Sequence, residues 1–125
     1  MVPKKILVVD DESSITRLLK LNLEKSGAYL VREENLGMRC LSAAREFKPD
    51  IILLDVMMPD MDGGDAAAQI KADPLLRDIP IVFLTAVVKK EEVQAHAGMM
   101  GGFPIIAKPL NLQGVLRIIE QHLPK

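Results

Sequence analysis

Residues 51–63 read IILLDVMMPDMDG, a short apolar run that stops abruptly at Asp55. The four residues before Asp55 are all Ile or Leu, so apolar and polar positions do not alternate. A short run of this kind is typical of a strand that is buried on both faces of a parallel sheet. The stretch therefore predicts a central strand that carries a carboxylate at its end.

Three other runs have the same character, and a polar residue directly follows each of them. They are residues 6–9 before Asp10 and Asp11, residues 79–84 before Thr85, and residues 105–107 before Lys108. The more polar stretch at residues 29–32 suits a strand nearer the edge of the sheet. If all these strands are parallel, the polar residues that follow them lie along one edge of the sheet.

Segments with helical spacing of their apolar residues separate the runs. They cover residues 15–23, 41–47, 64–73, 89–97 and 112–123. Ser13 or Ser14 is available as the N-cap of the first helix, and Gly27 as its stop. The order is β-α repeated five times, which predicts a parallel sheet with helices on both faces. In open sheets of this kind, ligands bind outside the carboxyl ends of the strands.

The composition indicates one ordinary globular domain that spans residues 1–125. Apolar residues make up 49% and charged residues 26%, and 16 basic and 17 acidic residues give a net charge of −1. This balance gives no general attraction to nucleic acid or to an anionic membrane surface. The single cysteine, Cys40, excludes an intramolecular disulfide, and apolar runs of about five residues are too short to span a bilayer. We therefore expect a cytoplasmic protein.

The residues expected at the shared edge have the chemistry of a phosphoryl-transfer site. Three carboxylates would repel one another, and oxygen ligands without His or Cys favour a hard cation such as Mg²⁺. A lysine and a hydroxyl group would add charge and hydrogen bonds for phosphoryl oxygens. A carboxylate can itself be the nucleophile and form an aspartyl-phosphate. Each residue by itself is also typical of a turn or a helix N-cap, so the hypothesis depends on all of them meeting.

The motifs together resemble the receiver domains of two-component response regulators, in the CheY-like superfamily. The matching stretches are ILVVDDE at residues 6–12, DVMMPDMDG at residues 55–63, FLTA at residues 83–86 and AKP at residues 107–109. Four separated motifs in one order make this resemblance specific, and it covers essentially the whole chain. It implies a flavodoxin-like, doubly wound (βα)5 fold with a five-stranded parallel sheet in the order 2-1-3-4-5.

The resemblance also implies a role for each residue at the edge. Asp55 would be the phosphoacceptor, Thr85 would hydrogen-bond a phosphoryl oxygen, and Lys108 would pair with the phosphate. The implied Mg²⁺ ligands are Asp10, Asp11, Asp55 and the main-chain carbonyl of Met57. Pro59 and Gly63 would shape the loop after the third strand, with Asp62 as a helix cap and not a metal ligand.

As a receiver domain, the chain would take a phosphoryl group from a sensor histidine kinase or a histidine phosphotransfer protein. It would act as a signalling switch and not as an enzyme with turnover. The readout surface would be the fourth helix, the fifth strand and the fifth helix. The downstream target and dimerisation on phosphorylation stay open. Ile105 stands where the family often has Tyr or Phe, which puts the aromatic form of the switch in doubt, and Phe103 would share its face.

Three other functions are alternatives at this stage. A phosphohydrolase of the haloacid dehalogenase type also uses an aspartyl nucleophile, but it expects an acid two residues later, where this chain has Met57. A flavin-binding electron carrier would need a hydroxyl- and glycine-rich loop after the first strand, and aromatic residues to stack the ring. A protein-interaction module of the same fold that works without phosphorylation is the closest alternative.

Overall fold

The computed structural model describes residues 2–86, 99–100 and 102–124, with the main chain only for residues 99–100. The strands are β1 (Lys4–Val9), β2 (Tyr29–Glu34), β3 (Ile51–Asp55), β4 (Ile81–Thr85), β5 (Met99–Met100) and β6 (Phe103–Ala107). The helices are α1 (Ser13–Glu24), α2 (Cys40–Phe47), α3 (Gly63–Ala72) and α4 (Leu112–His122). A single 3₁₀ turn, Gly37–Arg39, precedes α2. The helix expected at residues 89–97 lies outside the described residues.

The long strands form one parallel sheet in the order β2-β1-β3-β4-β6, which confirms the predicted order 2-1-3-4-5 and the flavodoxin-like α/β fold. The two-residue strand β5 adds to this sheet, since it pairs antiparallel with the start of β6. The residue pattern did not predict this strand, because a strand of two residues is too short to show an apolar periodicity. Gly102, at φ +86°, lies between the two strands in a backbone conformation that glycine adopts readily.

The sheet is buried on both faces, as its non-alternating strands predict. One face packs against α2 and α3 and is formed by Leu7, Val9, Ile52, Leu54, Ile81, Phe83 and Ile105. The opposite face packs against α1 and α4 and is formed by Ile6, Val8, Ile51, Leu53, Val82 and Leu84. Burial of both faces fixes the register of every strand, because a shift by one residue would exchange the two sets.

The ends of several elements differ from the sequence prediction. Strand β4 begins at Ile81, because Pro80 has no N–H to donate, although its carbonyl still accepts the N–H of Ile52 at 3.0 Å. Neither serine caps α1: Ser13 is already its first helical residue, and Asp10 Oδ1 accepts the N–H of Glu12 at 3.0 Å. Asp62 is the predicted cap of α3, and its Oδ1 accepts the N–H of Gly64 at 2.7 Å.

Among the described residues, no helix is both long enough and apolar enough to cross a membrane.

Candidate functional site

The carboxyl edge of the sheet brings the predicted polar residues to one place. Asp55 is the last residue of β3 and pairs in register with Leu84, so Thr85 lies one position beyond it on the neighbouring strand. Thr85 in turn pairs with Ala107, and its carbonyl accepts the N–H of Lys108 at 2.9 Å. The parallel register therefore aligns the residues that follow these strands.

Three carboxylates form a cluster at this edge. One oxygen each of Asp10, Asp11 and Asp55 lies within 4.8 Å of the others. Asp10 is fully buried and Asp55 is 3% exposed, whereas Asp11 is open to solvent. Charges of one sign at this separation and depth repel one another strongly, because little water is present to screen them. The cluster therefore favours a bound cation or a bound proton.

Lys108 supplies one positive charge to the cluster. Its Nζ lies 2.9 Å from Asp10 Oδ2, 3.3 Å from Glu12 Oε1 and 3.6 Å from Asp55 Oδ1. Its side chain is only 10% exposed, and this burial by itself lowers the pKa of Lys108. The contacts with Asp10, followed by the charge of Asp55, outweigh the burial and raise the pKa of Lys108 overall. The ammonium group therefore stays charged at neutral pH.

The pKa of Asp55 shows that Lys108 does not neutralise the cluster fully. Burial, the charge of Asp10 and a side-chain contact with Asp11 raise the pKa of Asp55 to about 7. The charge of Lys108 and the N–H of Met57, 3.4 Å from Asp55 Oδ1, act in the opposite direction but are weaker. A strongly raised carboxyl pKa in a cleft is typical of a functional site.

The donor set fits a hard divalent cation. Asp10 Oδ2 is buried, and none of the described donor groups is aligned to hydrogen-bond with it, despite its ion pair with Lys108. Asp11 and Met57 lie together on the wall of an open cavity of about 330 Å³, where a cation would have access from solvent. Every side-chain ligand available is a carboxylate oxygen, which Mg²⁺ prefers over nitrogen or sulfur.

Gly63 shapes the loop that follows Asp55. Its N–H donates to the carbonyl of Val56 at 2.8 Å, which turns the chain back against the end of β3. A Cβ added at Gly63 would overlap the main-chain carbonyl oxygen of Asp55 and would lie 2.8 Å from Val56 Cα. The loop can therefore approach Asp55 this closely only because residue 63 is glycine.

The switch region predicted around Ile105 is described in part. Ile105 is 5% exposed and belongs to the core on the α2 and α3 side. Phe103 packs against the same core, and its ring meets that of Phe83 edge to face, with centroids 5.2 Å apart. Both side chains thus lie on one face, as their spacing on a strand predicts.

Three residues near the site were given no role from the sequence, although Glu12 and Asp60 lie within the matching motifs. Glu12 contacts Lys108, Asn35 donates its side-chain N–H to the carbonyl of Asp10 at 2.8 Å, and Asp60 accepts main-chain N–H groups of residues 37 and 38. Asn35 directly follows β2 at the same carboxyl edge. A prediction that extended β2 to Glu34 would have placed it there by the same reasoning as Asp10.

Comparison with known protein families matches this arrangement. The family model described as the response regulator receiver domain aligns with residues 6–120. The chain belongs to this family. Receiver domains of two-component systems are signalling switches that interact with histidine kinases and phosphotransfer proteins, and they bind Mg²⁺ in general.

Named relatives include both short and long proteins. The receiver domain is 32% identical over 123 residues to the polar-differentiation response regulator DivK of Brucella anthropi, with 98% of both chains covered. It is 44% identical over 109 residues to the alkaline phosphatase synthesis transcriptional regulatory protein PhoP of Bacillus subtilis, covering 86% of this chain and 43% of PhoP. The chain therefore spans less than half the length of that regulator.

Solved structures support the same fold. The chemotaxis protein CheY4 of Vibrio cholerae superimposes with a TM-score of 0.82 at 28% identity, covering 97% of this chain and 99% of CheY4. A response regulator receiver protein from Methanoculleus marisnigri has an N-terminal domain with a TM-score of 0.70 at 36% identity, with 97% of both chains covered. The likeness extends over nearly the full length of each.

Proposed function

We propose that this receiver domain accepts a phosphoryl group on Asp55, with Thr85 and Lys108 as the other residues that contact it. The observation that carries the proposal is the burial of Asp55 beside Asp10 and Asp11, with Lys108 Nζ 3.6 Å from its carboxylate. An anionic group added to Asp55 needs nearby cations, and this edge of the sheet holds one lysine and a set of metal ligands.

Mg²⁺ belongs to the same proposal. Asp10, Asp11 and Asp55 would hold it through carboxylate oxygens, and the main-chain carbonyl of Met57 would add a further ligand. When bound, Mg²⁺ would neutralise charge on the acidic cluster and on the phosphoryl oxygens. The raised pKa of Asp55 supports this assignment, because a cluster of negative charge that holds a proton this tightly also favours a divalent cation.

The residues of the chain supply the rest of the chemistry. A carboxylate oxygen of Asp55 forms a bond to phosphorus as the P–N bond of a phosphohistidine breaks. The electron pair of that bond stays on the imidazole nitrogen, so no oxidant or reductant is required. Lys108 pairs with the phosphoryl oxygens and Thr85 hydrogen-bonds one of them. Only ionised Asp55 can attack, and the positive charge of Lys108 favours that form.

The donor in this proposal is a sensor histidine kinase or a histidine phosphotransfer protein, and the location is the cytoplasm. The phosphorylated site would change a surface that includes β6 and α4, to which a downstream protein binds; the fourth helix expected in this surface lies outside the described residues. The modified domain would be a switch and not an enzyme with turnover, apart from its own phosphorylation and dephosphorylation. Met57, two residues after Asp55, lacks the acid that a haloacid dehalogenase-type hydrolase would need there.

Intact mass spectrometry after incubation with acetyl phosphate tests the proposal. We expect one phosphoryl adduct on the wild type in the presence of Mg²⁺, and none on Asp55→Ala or with a chelator present. Asp65→Ala is the matched control, because Asp65 is exposed in the first turn of α3 and outside the carboxylate cluster. An adduct that persists on Asp55→Ala would refute Asp55 as the phosphoacceptor. If no adduct forms, beryllofluoride binding would separate rapid hydrolysis from an interaction module that needs no phosphate.

A further inference from the structure

The metal ligands proposed above come from the end of β3 and from two separate loops. The first loop, residues 10–12, contains Asp10 and Asp11, and the second loop, residues 56–62, contains Met57 and follows Asp55. A Mg²⁺ site with ligands on two loops needs a fixed distance between these loops, since this ion requires nearly ideal octahedral geometry. Contacts that fix one loop relative to the other therefore contribute to the affinity of the site.

A connecting segment, residues 34–38, makes hydrogen bonds to both loops. At the first loop, the carbonyl of Glu34 accepts the N–H of Asp10 at 3.1 Å. The side-chain amide of Asn35 donates to the carbonyl of Asp10 at 2.8 Å and to Thr16 Oγ1 at 3.0 Å. Both main-chain groups of Asp10 are therefore held by the connecting segment.

At the second loop, the connecting segment is held by one carboxylate. Asp60 Oδ1 accepts the N–H of Gly37 at 3.0 Å, and Asp60 Oδ2 accepts the N–H of Met38 at 2.9 Å. These two N–H groups lie at the start of the 3₁₀ turn Gly37–Arg39 and have no partner within that turn. The carboxylate of Asp60 thus accepts both N–H groups and holds the turn against the second loop.

Close packing supports the same contact. A Cβ added at Gly37 would lie 2.9 Å from Met58 Cε, and 3.1 Å from both Met61 Cβ and the Met61 carbonyl oxygen. The main chain of the connecting segment therefore lies directly against the second loop, which is possible because residue 37 is glycine. Gly63 restrains the same loop at its other end, because its N–H donates a hydrogen bond to the carbonyl of Val56.

We propose that Asp60 is a positioning residue for the Mg²⁺ site, and that it acts through the connecting segment with Asn35 as its counterpart at the first loop. In this role Asp60 acts through its hydrogen bonds to Gly37 and Met38 and is not itself one of the proposed ligands. It holds the second loop at a fixed position relative to Asp10, so that ligands from both loops can reach one ion. The inference rests on the proposed function, because it assumes that the carboxylate cluster binds Mg²⁺.

Calorimetric titration of the chain with Mg²⁺ tests the inference. We expect Asp60→Ala to bind Mg²⁺ about tenfold more weakly than wild type, a loss typical of removing a residue that holds metal ligands in place. Asp60→Asn keeps one acceptor oxygen and should recover part of the affinity. Asp65→Asn is the charge control: it removes the same charge at an exposed residue in the first turn of α3, outside the carboxylate cluster. Its affinity should stay closer to that of wild type.

Two further measurements separate positioning from a general loss of structure. In the metal-free protein, amide hydrogen exchange at Gly37 and Met38 should be faster in Asp60→Ala than in wild type, while exchange in the core strands is unchanged. Asn35→Ala should also weaken Mg²⁺ binding. The double variant should lose less affinity than the sum of the two single losses, because both changes release the same segment.

The outcomes separate the two proposals. If the wild type binds Mg²⁺ and Asp60→Ala binds it equally well, the positioning role is refuted and the metal site stands. A loss of the same size in Asp65→Asn would assign the effect to charge and would also refute positioning. If the wild type fails to bind Mg²⁺, the metal site proposed above fails, and the inference fails with it.

Discussion

Replacing Asp55 by Asn should make the metal-free receiver domain more stable at alkaline pH. The pKa of Asp55 rises on folding, first because the group is buried and then because Asp10 is close to it. Above this pKa, the folded chain carries a carboxylate that its surroundings disfavour. Asn has nearly the same shape and no charge, so Asp55→Asn removes the unfavourable charge without opening a cavity.

The size of the effect follows from the two pKa values of Asp55. The difference between 3.8 in the unfolded chain and about 7 in the folded chain corresponds to about 4 kcal/mol at pH 8. The folded state binds the proton more tightly, so wild-type stability falls as the pH rises through this range. Below pH 3.8 the carboxyl group is protonated in both states and the effect disappears. At pH 4.5 the advantage of Asp55→Asn should be only about 1 kcal/mol.

Urea unfolding followed by circular dichroism, with a chelator present, measures this difference at the two pH values. Asp65→Asn is the matched control, because it removes an exposed carboxylate from the first turn of α3. Its effect should stay within about 0.5 kcal/mol of zero. An Asp55→Asn variant that is no more stable than wild type at pH 8, or whose advantage is the same at both pH values, would refute the reasoning. Added Mg²⁺ should stabilise the wild type more than the variant.

Two other substitutions probe the same edge of the sheet. Gly63→Ala should lower the free energy of unfolding by about 2 kcal/mol, because the added methyl group overlaps the carbonyl of Asp55. Gly114 lies in α4, and a Cβ added there would have its nearest contact at 4.0 Å. Gly114→Ala should therefore leave the free energy of unfolding unchanged or raise it. Equal losses of stability in Gly63→Ala and Gly114→Ala would contradict this account. Lys108→Met should cost about 3 kcal/mol at pH 8, because the raised pKa of Lys108 keeps the wild-type ammonium charged far above that pH. In urea unfolding, Lys108→Met should destabilise the Asp55→Asn variant less than it destabilises the wild type. An identical loss of stability in the two proteins would rule out an interaction between Lys108 and Asp55.

Most of the fold could be predicted because the strands of a doubly buried sheet are uniformly apolar. The runs that end at Val9 and Leu54 have no other plausible place than the sheet interior, and their order determines the topology. The prediction was least accurate where a strand is partly exposed. Strand β2 continues to Glu34 because its polar residues pair in full register with β1, a tertiary contact that the local pattern does not reveal.

The candidate site was predictable to the extent that strand ends determine it. Asp10, Asp55 and Lys108 each follow a buried strand directly, so the rule that parallel strands share a carboxyl edge is sufficient to bring them together. Asn35 and Asp60 lie in loops, and their partners are main-chain groups of other loops. The sequence contains no periodicity for such contacts, and only the folded structure shows them.

Strand β6 and Lys108 have a consequence for the order in which the protein can mature during synthesis. A nascent chain extended only through β4 already contains the three carboxylates of the cluster, but it lacks Lys108, whose ammonium group lies 2.9 Å from Asp10. Such an intermediate would bring like charges together with no counter-charge from the polypeptide, so collapse of its sheet would be opposed by electrostatic repulsion. Addition of β6 completes the parallel sheet, and the residue that follows it supplies the ammonium group of Lys108. The sheet therefore gains the stabilising charge of Lys108 only with its last strand.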